Sequence, residues 1–231
     1  LEVKDFFNLY WNKKSLRKFD RYHSFTKLIN EKFYSNFSTS EKSRILVIGI
    51  GDSPDCYYFE TYKSKVVSID ISYKGLRYND AFMKIQMDAN SMGFKRNIFD
   101  VVFMRTVLLH LDHRKALIEI KRIMRDGGRL FWIEPMKNNI FLWLYRILVS
   151  PGRFTRINYL TFEEVLSIRS IFECFWHSEY YLFSVFLLPL HMLFPGMNGF
   201  VSFFVHLENE LLGKFKWFKK FCWISYGYGE V

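Results

Sequence analysis

The sequence predicts an α/β fold in which a mostly parallel sheet is wrapped by helices on both faces. Three observations carry this expectation. Short apolar stretches alternate with helical stretches from Ile45 to Glu134. The apolar stretches are continuous runs rather than every-second-residue patterns, as strands covered on both faces require. Half of the 231 residues are apolar, enough to bury a sizeable core in one domain.

The elements follow in order. Residues 5–37 read as helices, with Phe25, Leu28, Ile29 and Phe33 at helical spacing between polar residues. Ile45–Ile50 is a buried strand that runs into Gly49-Ile50-Gly51. A short helix over Ser53–Tyr62 follows, with Asp52 or Ser53 as its cap and Pro54 just inside. Strands are expected at Lys65–Ile69, Lys84–Met87, Phe99–Arg105 and Gly128–Glu134, with helices at Tyr73–Asp80 and Asp112–Arg125. Arg125-Asp126-Gly127-Gly128 reads as a structural turn into a strand. Past Pro135 come an aromatic helix over Asn138–Val149 and a helix over Thr161–Ile171 opened by the capping sequence T-F-E-E. Phe175–Phe186 reads as a strand, Leu207–Lys219 as a helix and Phe221–Tyr228 as a last strand.

Charge and cysteine usage narrow the function. The net charge is +10, a field that attracts phospholipid headgroups, nucleic acid or phosphorylated substrates. Cys56, Cys174 and Cys222 lie far apart, which argues against a zinc site or disulfide framework and suits a reducing, cytoplasmic location. The opening LEVKDFFNLYW is charged and amphipathic, unlike a signal peptide.

In a parallel α/β sheet, ligands bind outside the carboxyl ends of the strands. The residues there are Gly49–Ser53, Asp70, Asp88, Arg105 and Glu134. Two glycines after the first strand let bare backbone approach a nucleotide, and an acid ending the next strand can accept from ribose hydroxyls. The third glycine of a dinucleotide fingerprint is absent. The ordered set continues as D-A at Asp88-Ala89, F-D-V-V from Phe99, L-L-H-L from Leu108 and R-D-G-G-R-L from Arg125.

With I-G-I-G and S-I-D before it, this set resembles the class I S-adenosylmethionine-dependent methyltransferases, in the branch of small-molecule and quinone methyltransferases. The resemblance is close over residues 43–135 and looser at FCWISYGY, which fits the family's final antiparallel strand. It implies a Rossmann-like sheet of seven strands, mostly parallel, with the last antiparallel. It further implies one domain: a helical lid at 1–42, a cofactor core at 43–135, and substrate-side helices with the last strands at 136–231.

The implied cofactor is S-adenosylmethionine. Gly49 and Gly51 would frame the loop under its methionine part, with Ser53 where a third small residue often stands. Asp70, followed by Ile71, would hold the ribose hydroxyls. Asp88 would accept from the adenine amino group beside the Ala89 backbone, and Arg105 and Thr106 would line the floor near the sulfonium. His110, after the fourth strand, is the candidate base or acceptor contact, weighed against a structural histidine. Val47 stands where the family usually has an acid.

The acceptor is expected to be small, apolar or lipid-linked. R-T-V-L at Arg105–Leu108 replaces the family's N-P-P-Y or D-P-P-Y grip on base amines, which disfavours nucleic acid. An RNA methyltransferase, favoured by charge, and an inactive scaffold, favoured by Val47, are the alternatives. Tyr180–Leu207 holds 28 residues without Asp, Glu, Lys or Arg, broken by Pro189, Pro195, Gly196 and Gly199. It reads as an apolar insertion at about 185–207 between the last two strands rather than a span. GKFKWFKKF at 213–221 and LWLYRILVSPGRFTR at 142–156 pair basic with aromatic residues, as an interfacial segment on an anionic membrane does.

Overall fold

The computed structural model describes residue 4 and residues 17–35, 37, 42–51, 55–59, 66–77, 83–149, 157–194 and 196–231. Among them, seven strands form one sheet: β1 (Ile45–Ile48), β2 (Val66–Asp70), β3 (Met83–Gln86), β4 (Phe99–Arg105), β5 (Met124–Pro135), β6 (Cys174–Tyr180) and β7 (Ile224–Glu230), in the order β3-β2-β1-β4-β5-β7-β6. The pairs from β3 to β5 are parallel, and β7 runs antiparallel to both β5 and β6. The strand order reverses between β1 and β4, so the cleft opens beyond Gly49 and Arg105.

Both faces are covered, as the continuous apolar strands require. On one face Val47, Phe103, Phe131 and Tyr226 pack under α1 (Arg17–Tyr34), through Phe25, Ile29 and Phe33. Phe59 of α2 (Asp55–Phe59) and Leu76 of α3 (Tyr73–Arg77) join that core. On the other face Leu46, Val102, Leu130 and Trp132 meet α4 (His113–Ile123), which buries Ala116, Leu117, Ile120 and Ile123 at helical spacing. Asp112 caps α4 by accepting from the Lys115 N–H. After α5 (Ile140–Val149) comes α6 (Phe162–Ser167), opened by the expected capping box between Thr161 and Glu164.

Three expectations are corrected. The R-D-G-G turn lies inside β5, where Gly127 has φ +71° and the register against β4 shifts. The strand expected over 175–186 stops at Tyr180, because Tyr181 takes φ +66° and turns the chain. The helix expected over Leu207–Lys219 starts earlier and ends sooner: α7 (Leu187–Leu193) and α8 (Asn198–Lys214) precede a 3₁₀ turn over Lys216–Phe221.

This excursion, longer than expected, leaves β6 and returns to β7 at the same point, where Trp223 N–H donates to the Tyr180 carbonyl at 3.0 Å. Two buried side chains hold it. Asn139 Nδ2 donates to the carbonyls of Leu182 at 3.0 Å and Phe221 at 2.9 Å, clasping both ends. Glu208 of α8 accepts from the Phe183 and Ser184 amides and from Ser184 Oγ. Among the described residues no helix is long and apolar enough to cross a membrane.

Candidate functional site

The carboxyl ends of β1 to β5 bring most of the sequence-selected residues into one arc. Gly49 has φ +66°, and a Cβ there would lie 2.4 Å from Val107 Cγ2, so packing as well as the turn demands glycine. Gly51 has φ +42°, and its N–H donates to Asp70 Oδ2 at 3.3 Å. Asp70 Oδ1 accepts from the Ser72 N–H at 2.8 Å. The glycine loop and the acid that ends β2 are therefore direct neighbours. Burial raises the Asp70 pKa, opposed by those two amide hydrogen bonds. The Ile71 carbonyl accepts from Gln86 Nε2, tying this turn to β3.

Asp88 is exposed and turns its Oδ1 to the Asn90 N–H at 2.8 Å, while Ala89 beside it is buried. Asn90 Oδ1 in turn accepts from the Asp112 N–H at 3.3 Å, so the β3 and β4 loops are linked across the cleft. Asp52, Ser53 and Pro54 lie outside the described residues.

The end of β4 divides. Arg105 sends its guanidinium toward α1 and α2, where Nε lies 2.5 Å from Asp55 Oδ2 of α2 and Nη2 donates to the Tyr34 hydroxyl of α1 at 2.7 Å. Thr106 is exposed with φ +57°. His110 closes the 3₁₀ turn Leu108–His110, and burial pushes its pKa down to about 4. It is therefore neutral near pH 7.

Glu134, a strand-end residue outside the predicted site set, holds this turn. Its Oε1 accepts from the Val107 N–H at 2.7 Å and the Leu108 N–H at 3.0 Å, and its Oε2 is buried without a hydrogen bond. Burial raises its pKa to about 7 despite those amides and the Arg105 charge. A folded pKa above the unfolded one gives stability that is complete below about pH 4.5 and declines as pH rises through about 7. The Glu134→Gln protein is therefore expected to lose less thermal stability than the unmodified protein between pH 5 and pH 8. Melting curves across that range check this, and parallel pH profiles would contradict it.

The comparisons with known proteins bear on the domain and the fold. Residues 46–132 match the family described as "Methyltransferase domain". An uncharacterized protein of Methanocaldococcus jannaschii is 30% identical over 149 residues, covering 64% of this chain. The match spans only 61% of that relative's length. Among solved structures, the methyltransferase complexed with the Trm112 methyltransferase activator of Haloferax volcanii is similar at TM-score 0.65 and 13% identity, over 97% of this chain and 96% of that one. Haemonchus contortus phosphoethanolamine N-methyltransferase 2, in complex with phosphomonomethylethanolamine and S-adenosylhomocysteine, is similar at TM-score 0.65 and 16% identity, over 100% of this chain and 60% of that one. At such identities the likeness shows the fold. Residues 46–132 thus match a methyltransferase domain, and the chain shares the fold of these methyltransferases.

Proposed function

We propose that the protein transfers a methyl group from S-adenosylmethionine to an apolar or lipid-linked acceptor met at an anionic membrane surface. The observation that carries the acceptor class is where the exposed apolar side chains lie. α5 leaves the carboxyl end of β5, and the 181–223 excursion leaves that of β6 and re-enters at β7, so both border the mouth of the cleft. On α5, Ile140, Trp143, Leu144 and Ile147 form an exposed stripe. On the excursion Leu193 is 72% exposed, and Phe203 and Trp217 are each 62% exposed. Phe141 and Phe186 join the two segments with ring centroids 3.7 Å apart. Scattered apolar side chains are ordinary on a surface, but a concentration at one end marks an interaction face.

The arc has the chemistry the cofactor needs: glycine backbone with positive φ, a buried carboxylate beside it, and a second acid one strand further out. The bound cofactor supplies a methyl group already activated on a positive sulfur. Asp70 would hold the ribose hydroxyls, Asp88 the adenine amine, and the backbone of Gly49 to Gly51 the methionine end. The protein's remaining task is alignment and exclusion of water. α1 and the excursion serve as the cover, packed through Phe25 against Tyr181, His191 and Trp223.

Cations flank the apolar face, though fewer than the sequence suggests. Lys214 and Lys216 are exposed, and Lys220 lies 4.2 Å over the Trp217 ring. Lys219 instead turns inward to the buried Glu179, 3.2 Å away, and is unsuited to lipid. Each lysine at an anionic surface contributes about 1 kcal/mol. Co-sedimentation with phosphatidylglycerol-containing vesicles should exceed that with phosphatidylcholine vesicles. Changing Lys214, Lys216 and Lys220 to Gln should reduce it several-fold, and high salt should weaken it only in part, because inserted apolar side chains are not screened. No sedimentation in any condition would remove the membrane and leave the apolar segment as a cover over the substrate.

A further inference from the structure

Tyr34, Asp55 and Arg105 come from three separate segments and meet at the end of β4, and the cofactor arc alone does not account for them. Tyr34 stands in the last turn of α1, Asp55 is the first residue of α2, and Arg105 ends β4. All three are buried. The Tyr34 hydroxyl donates to Asp55 Oδ1 and accepts from Arg105 Nη2, while Arg105 Nε faces Asp55 Oδ2 at 2.5 Å. α1 is tied to α2 a second time, by the Tyr58 hydroxyl donating to the Tyr34 carbonyl at 2.7 Å and by the two stacked rings 4.4 Å apart.

The placement gives the cluster a purpose. β1 presents Val47 on this face, so no carboxylate rises from the strand below the loop. Asp55 supplies a buried one at the start of α2. A buried carboxylate is costly unless paired, and the rigid guanidinium fork is suited to hold it. Gly51 is thus held by Asp70, and Asp55, four residues on, is held by Arg105 and Tyr34. Ring packing against Tyr58 and Phe37 would dock α1 without any hydroxyl. The hydroxyl adds a link that makes the docking of α1 and the setting of the loop depend on each other.

We propose that Tyr34, Asp55 and Arg105 are positioning residues for the cofactor loop, so that the site is fully assembled only when α1 is docked. This rests on the reading that the arc binds S-adenosylmethionine. Titration calorimetry with S-adenosylhomocysteine tests it without any acceptor. Tyr34→Phe keeps the ring packing and is expected to weaken binding at least tenfold, with the melting midpoint of the ligand-free protein shifted by only a few degrees. Asp55→Asn is expected to weaken it further. Phe172→Leu, in the core of the opposite face, serves as a destabilised control that should bind normally. Normal affinity in folded Tyr34→Phe and Asp55→Asn proteins, or affinity that merely follows melting midpoint as in the control, would overturn the proposal alone. Absence of binding by the unmodified protein would overturn the cofactor reading with it.

Discussion

Replacing Gly51 by valine is expected to abolish measurable binding of S-adenosylmethionine while leaving most of the fold intact. Gly51 is buried with φ +42°, a region that costs a residue with a side chain roughly 1–2 kcal/mol and a branched one more. Its backbone faces the Asp70 carboxylate at 3.3 Å, so a side chain here stands where backbone must meet the cofactor. The melting midpoint should fall by roughly 2–8 °C, at about 2–4 °C per kcal/mol for a chain of this size. Gly49 is the less informative neighbour, because its added Cβ would strike Val107 and the fold itself would suffer. Calorimetry on a folded Gly51→Val protein decides the matter, and ordinary binding would reduce the loop to a turn.

Asp70→Ala is expected to weaken cofactor binding by about 1.5–3 kcal/mol, the range for a lost hydrogen bond to a charged group, or roughly 10- to 150-fold. Asp70 also accepts from the Gly51 and Ser72 amides, so part of that loss comes through a loosened loop. Asp70→Asn removes the charge and keeps only one of the two oxygens that accept from backbone, so a loss smaller than that of Asp70→Ala would measure what the remaining loop contact contributes. Affinity unchanged in both folded variants would remove Asp70 from the site.

The sequence exposed the parts of the molecule whose signals are local. β1, β2 and β4 are apolar runs closed by a glycine, an acid and a basic residue, so strand and strand end were both visible. The capping box at Thr161 was legible for the same reason. The place of the excursion between the last two strands was legible, but its helices were not, because they carry few polar residues to mark a period. Pro189 falls in the first turn of α7, where the missing N–H costs nothing, and Gly199 is the second residue of α8. Both had read as breaks.

The contacts that set the site were hidden by distance along the chain. Tyr34 meets a partner 71 residues away in Arg105, and Asn139 meets Phe221 across 82 residues. Lys219 looked like one more surface lysine because its partner Glu179 stands on another strand. Glu134 was visible only as the acid that ends β5. Its service to the turn before His110 follows from the pairing of β4 with β5.

The most direct measurement of the central claim is methyl transfer itself. The protein is incubated with S-adenosylmethionine labelled in its methyl group and with membranes of the source organism, and the label is partitioned between organic solvent and water. Protein-dependent label in the organic phase, lost with the Asp70→Ala protein, is the expected result. A protein that binds S-adenosylhomocysteine yet puts no label into the organic phase would contradict an apolar or lipid-linked acceptor.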